Sequence, residues 1–184
     1  MVIIPQENNN SRHKKRVAVL IGSGILLVVI LPFIAVIFSI TIESLFSIPK
    51  LIPIPFNIII GLILLPIGFY WSLWANIALY KIGDGSPVPL KDTQTIKLVI
   101  VGPYKYSRNP MVFGYLILWF GLGFIFNSII LLFGFTFSIT LALILFVKIW
   151  EENNLEKRFG KSYLDYKALV SFIIPLPRAK GKTE

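Results

Sequence analysis

Three long stretches of the chain carry no formal charge, running from Val17 to Ile42, from Leu51 to Tyr80 and from Met111 to Val147. About 18 or more such residues in a row are enough to cross a bilayer as a helix. The first stretch predicts a spanning helix over residues 17–40. It is too long for the apolar region of a cleavable signal peptide, and no A-x-A-like exit follows it. The run Ile48-Pro49-Lys50 and Ile52-Pro53-Ile54-Pro55 then breaks any helix, because proline lacks a donor N–H and restricts its predecessor. A second span follows from about Phe56 to Tyr80.

The third stretch has 37 residues, Met111 to Val147. As one helix it would be roughly 55 Å long, nearly twice the hydrocarbon thickness of a bilayer. It should therefore fold back on itself. Asn127-Ser128 is the natural turn, which gives spans at about 111–126 and 129–150. The expected fold is an all-α membrane protein of about four transmembrane helices. It ends in a C-terminal helical hairpin and an amphipathic tail.

Charge supports this count. The chain has 18 Lys and Arg against 9 Asp and Glu, a net charge of +9. All the basic residues except Lys50 fall in the N-terminal tail, in the 81–108 loop, or from Lys148 onward. With four spans these three segments share one side, which the positive-inside rule makes cytoplasmic, together with both termini. The charge thus reads as a topology signal and not as a nucleic-acid footprint.

Composition narrows the chemistry. There is no cysteine and a single histidine, His13. Thiolate nucleophiles, disulfides and multi-histidine metal sites are excluded, so no metal is expected.

Two polar stretches on the expected cytoplasmic side carry the remaining information. The first runs Lys97-Leu98-Val99-Ile100-Val101-Gly102-Pro103-Tyr104-Lys105-Tyr106-Ser107-Arg108-Asn109-Pro110-Met111. By spacing alone it reads as a punctuated loop with a helix starting at Pro110. The second, Lys148-Ile149-Trp150-Glu151-Glu152 through Phe159-Gly160 to Tyr163 and Tyr166, runs an apolar helix out into charge, with Gly160 as its cap. Carboxylates at a membrane edge usually face a cavity or a partner. The simpler account is a helix emerging into water with Lys148 and Glu152 as an i,i+4 pair.

Together these stretches resemble the C-terminal half of the integral-membrane methyltransferases that include isoprenylcysteine carboxyl methyltransferases and phospholipid N-methyltransferases. The family pattern runs L-V-x-x-G-x-Y-x-x-x-R-H-P-x-Y-x-G, a membrane hairpin, then E-E-x-x-L-x-x-x-F-G-x-x-Y-x-x-Y. This chain follows it over about residues 96–177, which form the expected methyltransferase core. Residues 1–95 would hold the N-terminal tail and the first two spans, and 178–184 a disordered tail.

The resemblance implies S-adenosylmethionine as methyl donor. It assigns Ile96, Lys97, Leu98, Val99, Gly102, Tyr104, Asn109, Pro110, Met111 and Val112 to the cofactor site, with Glu151 contacting the cofactor. Glu152 and Arg108 take the catalytic roles, Glu152 as the base an amine acceptor would need and Arg108 organising the turn. Gly121-Leu122-Gly123 is similar to a G-x-G of the lipid-acting branch, although in a membrane helix such a pair also serves close packing.

Three positions depart from the pattern. Asn109 replaces the usual histidine, so it can position a group but cannot titrate near neutrality. Val112 replaces a tyrosine. Val147 stands where the isoprenylcysteine enzymes carry an arginine associated with the substrate carboxylate, and the adjacent Lys148 could supply only a point charge.

The implied reaction is methyl transfer to a lipid-linked acceptor in the membrane. An isoprenylcysteine-like carboxylate is the first expectation and a phospholipid head-group amine the alternative. A non-catalytic polytopic membrane protein is the reading from another class.

Overall fold

Proline opens two of the helices and follows a loosened turn in another. The computed structural model describes residues 9–85 and 94–178. Residues 1–8, the 86–93 part of the loop and residues 179–184 of the expected disordered tail lie outside the described residues. Helix α1 covers residues 9–45, with a widened π-type turn at Ile25–Ile30 just before Pro32. Proline lacks an N–H, so carbonyls upstream of it lose their helical donor. The Tyr115 hydroxyl donates to one carbonyl of this widened turn, that of Leu27, at 2.7 Å.

Helix α2, Phe56–Lys81, follows directly on Pro55, and α3, Pro110–Ile125, opens on Pro110. Proline suits a first helical position because the N–H it lacks would have no partner there. Helix α4 spans Ile130–Phe159, and the short α5 spans Lys161–Leu169. Gly160 separates these two with φ of 53°, a conformation that favours glycine. Among the described residues α1, α2 and α4 are long and apolar enough to cross a membrane, and α3 is a shorter apolar helix. The four expected apolar helices are all present. The first starts earlier and ends later than residues 17–40, and the last continues past residue 150 to Phe159.

Helices α2 and α3 form a tight pair because small residues face each other. A Cβ on Gly68 would come within 2.7 Å of the Gly114 carbonyl oxygen, and one on Gly114 within 2.5 Å of the Ser72 nitrogen. Gly121 belongs to the same contact, its added Cβ meeting Leu65, whereas one on Gly123 would meet Leu132 of α4. The G-x-G is thus a helix-packing feature at the far end of α3 from Asn109.

The 127–128 turn forms as expected, with Asn127 at φ of 49°. Its carboxamide oxygen accepts from the Leu51 and Ile52 nitrogens, each at 3.1 Å, and its Nδ2 donates to the Ile52 carbonyl at 2.6 Å. Beside it the buried Glu43 carboxylate accepts from the Ser128 hydroxyl at 2.5 Å and the Ile130 nitrogen at 3.1 Å. An apolar cluster of Ala35, Val36, Trp119 and Leu131 lies above this polar knot and joins α1 to α3 and α4.

Candidate functional site

At the opposite end of the bundle the polar motif folds into a compact turn. Gly102 takes φ of 63° beneath the Trp74 indole, and a short 3-10 turn over Gly102–Lys105 brings Tyr104 inward. The Arg108 nitrogen donates to the Ser171 carbonyl at 2.8 Å, and the Asn109 Nδ2 donates to the Phe172 carbonyl at 2.8 Å. The segment after α5 is thereby strapped along the motif. Asn109 serves as its latch, a positioning role that an asparagine can fill.

Helix α5 closes the site from above. Tyr163, Tyr166 and Val170 are buried against Leu98, Leu155 and Phe159. They pack on the loop through Leu98 and on the end of α4 through Leu155 and Phe159. The Tyr166 hydroxyl donates to the Tyr104 carbonyl at 2.8 Å. Burial raises the phenol pKa of Tyr104, and the nearby Glu151 charge adds to it. Burial likewise raises Tyr163, helped by Glu152, and raises Tyr166. All three remain neutral aromatic walls at physiological pH.

The cavity between these elements is partly open to solvent, with an inner volume of about 80 Å3. Nine of the expected residues line it: Lys97, Leu98, Val99, Tyr104, Arg108, Asn109, Met111, Val112 and Glu151. The others are placed elsewhere. Ile96 is half exposed and ties its nitrogen to the Gly83 carbonyl at 2.9 Å, Gly102 lies under Trp74, and Pro110 is buried as the first residue of α3. Lys148 extends over the Phe172 ring, 5.2 Å from its centre.

The two adjacent glutamates point differently. Glu151 lines the cavity, whereas Glu152 does not. The buried Glu152 carboxylate is held by Arg108 at 2.6 Å and by Lys167 at 2.9 Å, so its partners are on other elements and not the i,i+4 Lys148. Hydrogen bonds to Glu156 and Glu152 raise the Lys167 pKa, so its charge persists. Held between two cations from other elements, this carboxylate braces the motif turn and α5 against the end of α4.

Sequence reading missed several lining residues. Asn154, Leu155, Arg158 and Phe159 follow Glu151 at the i+3, i+4, i+7 and i+8 positions, a helical stripe that spacing alone could have revealed. Leu79, Gln94 and Thr95 also line the cavity, and no local signal marks them.

No curated protein and no solved structure matches the chain. A protein-family model does match, over residues 56–162, which takes in α2, the motif turn, the hairpin and the acidic pair. On that match, covering more than half of the sequence, the chain belongs to the phospholipid methyltransferase family.

Proposed function

We propose that the chain transfers a methyl group from S-adenosylmethionine to a lipid in the surrounding membrane, with a phospholipid head-group amine as acceptor. The observation that carries this reading is Glu151, the one carboxylate among the described residues that line a cavity with apolar and aromatic walls and several polar side chains, at the end of a membrane-crossing helix. The basic residues clustered at this end favour a cytoplasmic orientation for it.

The residues present suit the cofactor. S-adenosylmethionine, when bound, supplies an electrophilic methyl group on a sulfonium, next to an amino-acid ammonium and carboxylate. Glu151 offers the matching negative charge, and the Tyr104 ring offers a cation–π face. Leu98, Val99, Met111 and Val112 provide apolar walls for an adenine. The buried Arg108 Nε has no partner among the described residues and is a donor in reserve.

An amine acceptor must lose a proton before it attacks. Glu151 is the cavity carboxylate able to take it, while Glu152 braces Arg108. The C–N bond then forms in line as the C–S bond breaks, and the sulfur leaves with the electron pair. Holding both partners in one orientation can supply up to about 7–11 kcal/mol of the barrier reduction.

A carboxylate acceptor is the second reading. Lys148, which has no carboxylate partner among the described residues, favours it. Against it, Val147 is buried at 2% exposure where an arginine would be needed. Incubating membranes with methyl-labelled donor and extracting the lipids separates the two. Base-stable label in the phospholipid fraction supports the amine. Base-labile label supports the ester. Absence of both label and S-adenosylhomocysteine binding in folded protein overturns the enzyme reading.

A further inference from the structure

Arg158 has no part in the chemistry above, yet it lines the same cavity. It stands seven residues after Glu151 on α4, with Asn154 between them, so all three share one helical face. Its guanidinium rests against the Phe159 ring, 4.9 Å from the ring centre. Among the described residues it has no carboxylate within ion-pair distance, whereas Arg108, the other arginine of the cavity, is neutralised by Glu152. Lys97 also borders the cavity, but from an exposed loop position. The helix face therefore presents one carboxylate and one arginine that lacks an anion.

Arg158 is part-buried on the cavity wall with no anion beside it, so a guest that brings a carboxylate gains a charge-assisted contact there. A cationic guest alone would satisfy Glu151 and repel Arg158. The guest that satisfies both carries positive and negative groups at one end, as an amino acid does. We propose that Arg158 receives the carboxylate of the cofactor's amino-acid end, while Glu151 faces its cationic groups. This assignment rests on the S-adenosylmethionine reading above.

Helix geometry permits it. Seven residues rise about 10.5 Å along the axis. Both side chains lean toward the helix N-terminus, and arginine is the longer, so its guanidinium reaches back part of the way toward the Glu151 carboxylate. A guanidinium also suits the task, since its fork can make two parallel hydrogen bonds to a carboxylate.

Two probes isolate this contact by titration calorimetry on the detergent-purified full chain. S-adenosylhomocysteine carries the amino-acid end, and 5′-methylthioadenosine lacks it. Arg158→Gln is expected to weaken S-adenosylhomocysteine binding tenfold or more and to leave 5′-methylthioadenosine affinity unchanged. The unchanged probe also reports that the variant is folded. Unaltered S-adenosylhomocysteine affinity, or equal losses for the two probes, overturns the assignment. Should Arg158→Gln fail to fold, Arg158→Met is judged by the same two criteria. Wild-type protein that binds neither probe overturns the cofactor reading itself, which is a separate result.

Discussion

The Arg108 guanidinium lies 2.6 Å from the Glu152 carboxylate, a contact that joins residues 44 apart and ties the motif turn to the end of α4. Both side chains are largely buried, at 12% and 8% exposure. Breaking such a pair from one side leaves an uncompensated charge and costs about 3–5 kcal/mol, whereas replacing both partners with apolar residues is often nearly neutral. Glu152→Ala should therefore lower the melting temperature in detergent sharply. The double substitution Arg108→Met with Glu152→Met should recover much of the loss. Strictly additive effects would mean that the two residues do not act as a pair.

Glu151 should behave differently although it is the next residue. It faces the cavity and not an ion-pair partner, so Glu151→Gln removes charge from the site without stranding a cation in the protein. Methyl incorporation from labelled donor is expected to vanish while the melting temperature stays at the wild-type value. Wild-type rates in this variant would reduce Glu151 to a residue of an emerging helix.

The contrast between these neighbours marks how far the sequence could be read. The spans and the Asn127-Ser128 turn were legible because uncharged blocks of bilayer length have few alternatives, and Gly160 was legible because helix ends favour glycine. The acidic pair was legible as a site but not in its division of labour. Successive helical residues project about 100° apart, and which one faces inward depends on where Arg108 and Lys167 arrive from other elements. Leu79, Gln94 and Thr95 come to the cavity through tertiary packing alone, so nothing in their own neighbourhood announces them.

The Gly121-x-Gly123 pair offers a direct test of packing against cofactor binding. A Cβ at Gly123 would come within 2.6 Å of the Leu132 side chain, and one at Gly121 within 2.9 Å of Leu65. Overpacking of this kind costs about 1–3 kcal/mol, set against a gain of about 1 kcal/mol in helix propensity from Gly to Ala. Gly123→Ala should lower the melting temperature and leave the S-adenosylhomocysteine Kd of the folded protein unchanged. Gly22→Ala, whose added Cβ would meet no atom of another element among the described residues, should be neutral or mildly stabilising. A large rise in Kd without loss of stability would return the G-x-G to the cofactor site.

At the other end of the bundle, Glu43 and Lys50 form an ion pair at 3.3 Å whose two sides should matter very unequally. The Lys50 side chain is 57% exposed, and exposed pairs contribute little because water screens them and ordering a long side chain costs entropy. The Glu43 side chain is 3% exposed, and it also accepts hydrogen bonds from the Ser128 hydroxyl and the Ile130 nitrogen at the start of α4. A carboxylate there satisfies a free N–H and complements the positive end of the helix. Removing it strands the buried Ser128 hydroxyl, at roughly 1–3 kcal/mol, takes the acceptor from the part-buried Ile130 N–H, and releases the polar lock between α1 and the hairpin. Glu43→Ala is therefore expected to lower the melting temperature strongly, Glu43→Gln less because it keeps an acceptor oxygen, and Lys50→Ala scarcely at all. Equal losses for Glu43→Ala and Lys50→Ala would instead make the ion pair the source of stability and the helix-end hydrogen bonds incidental.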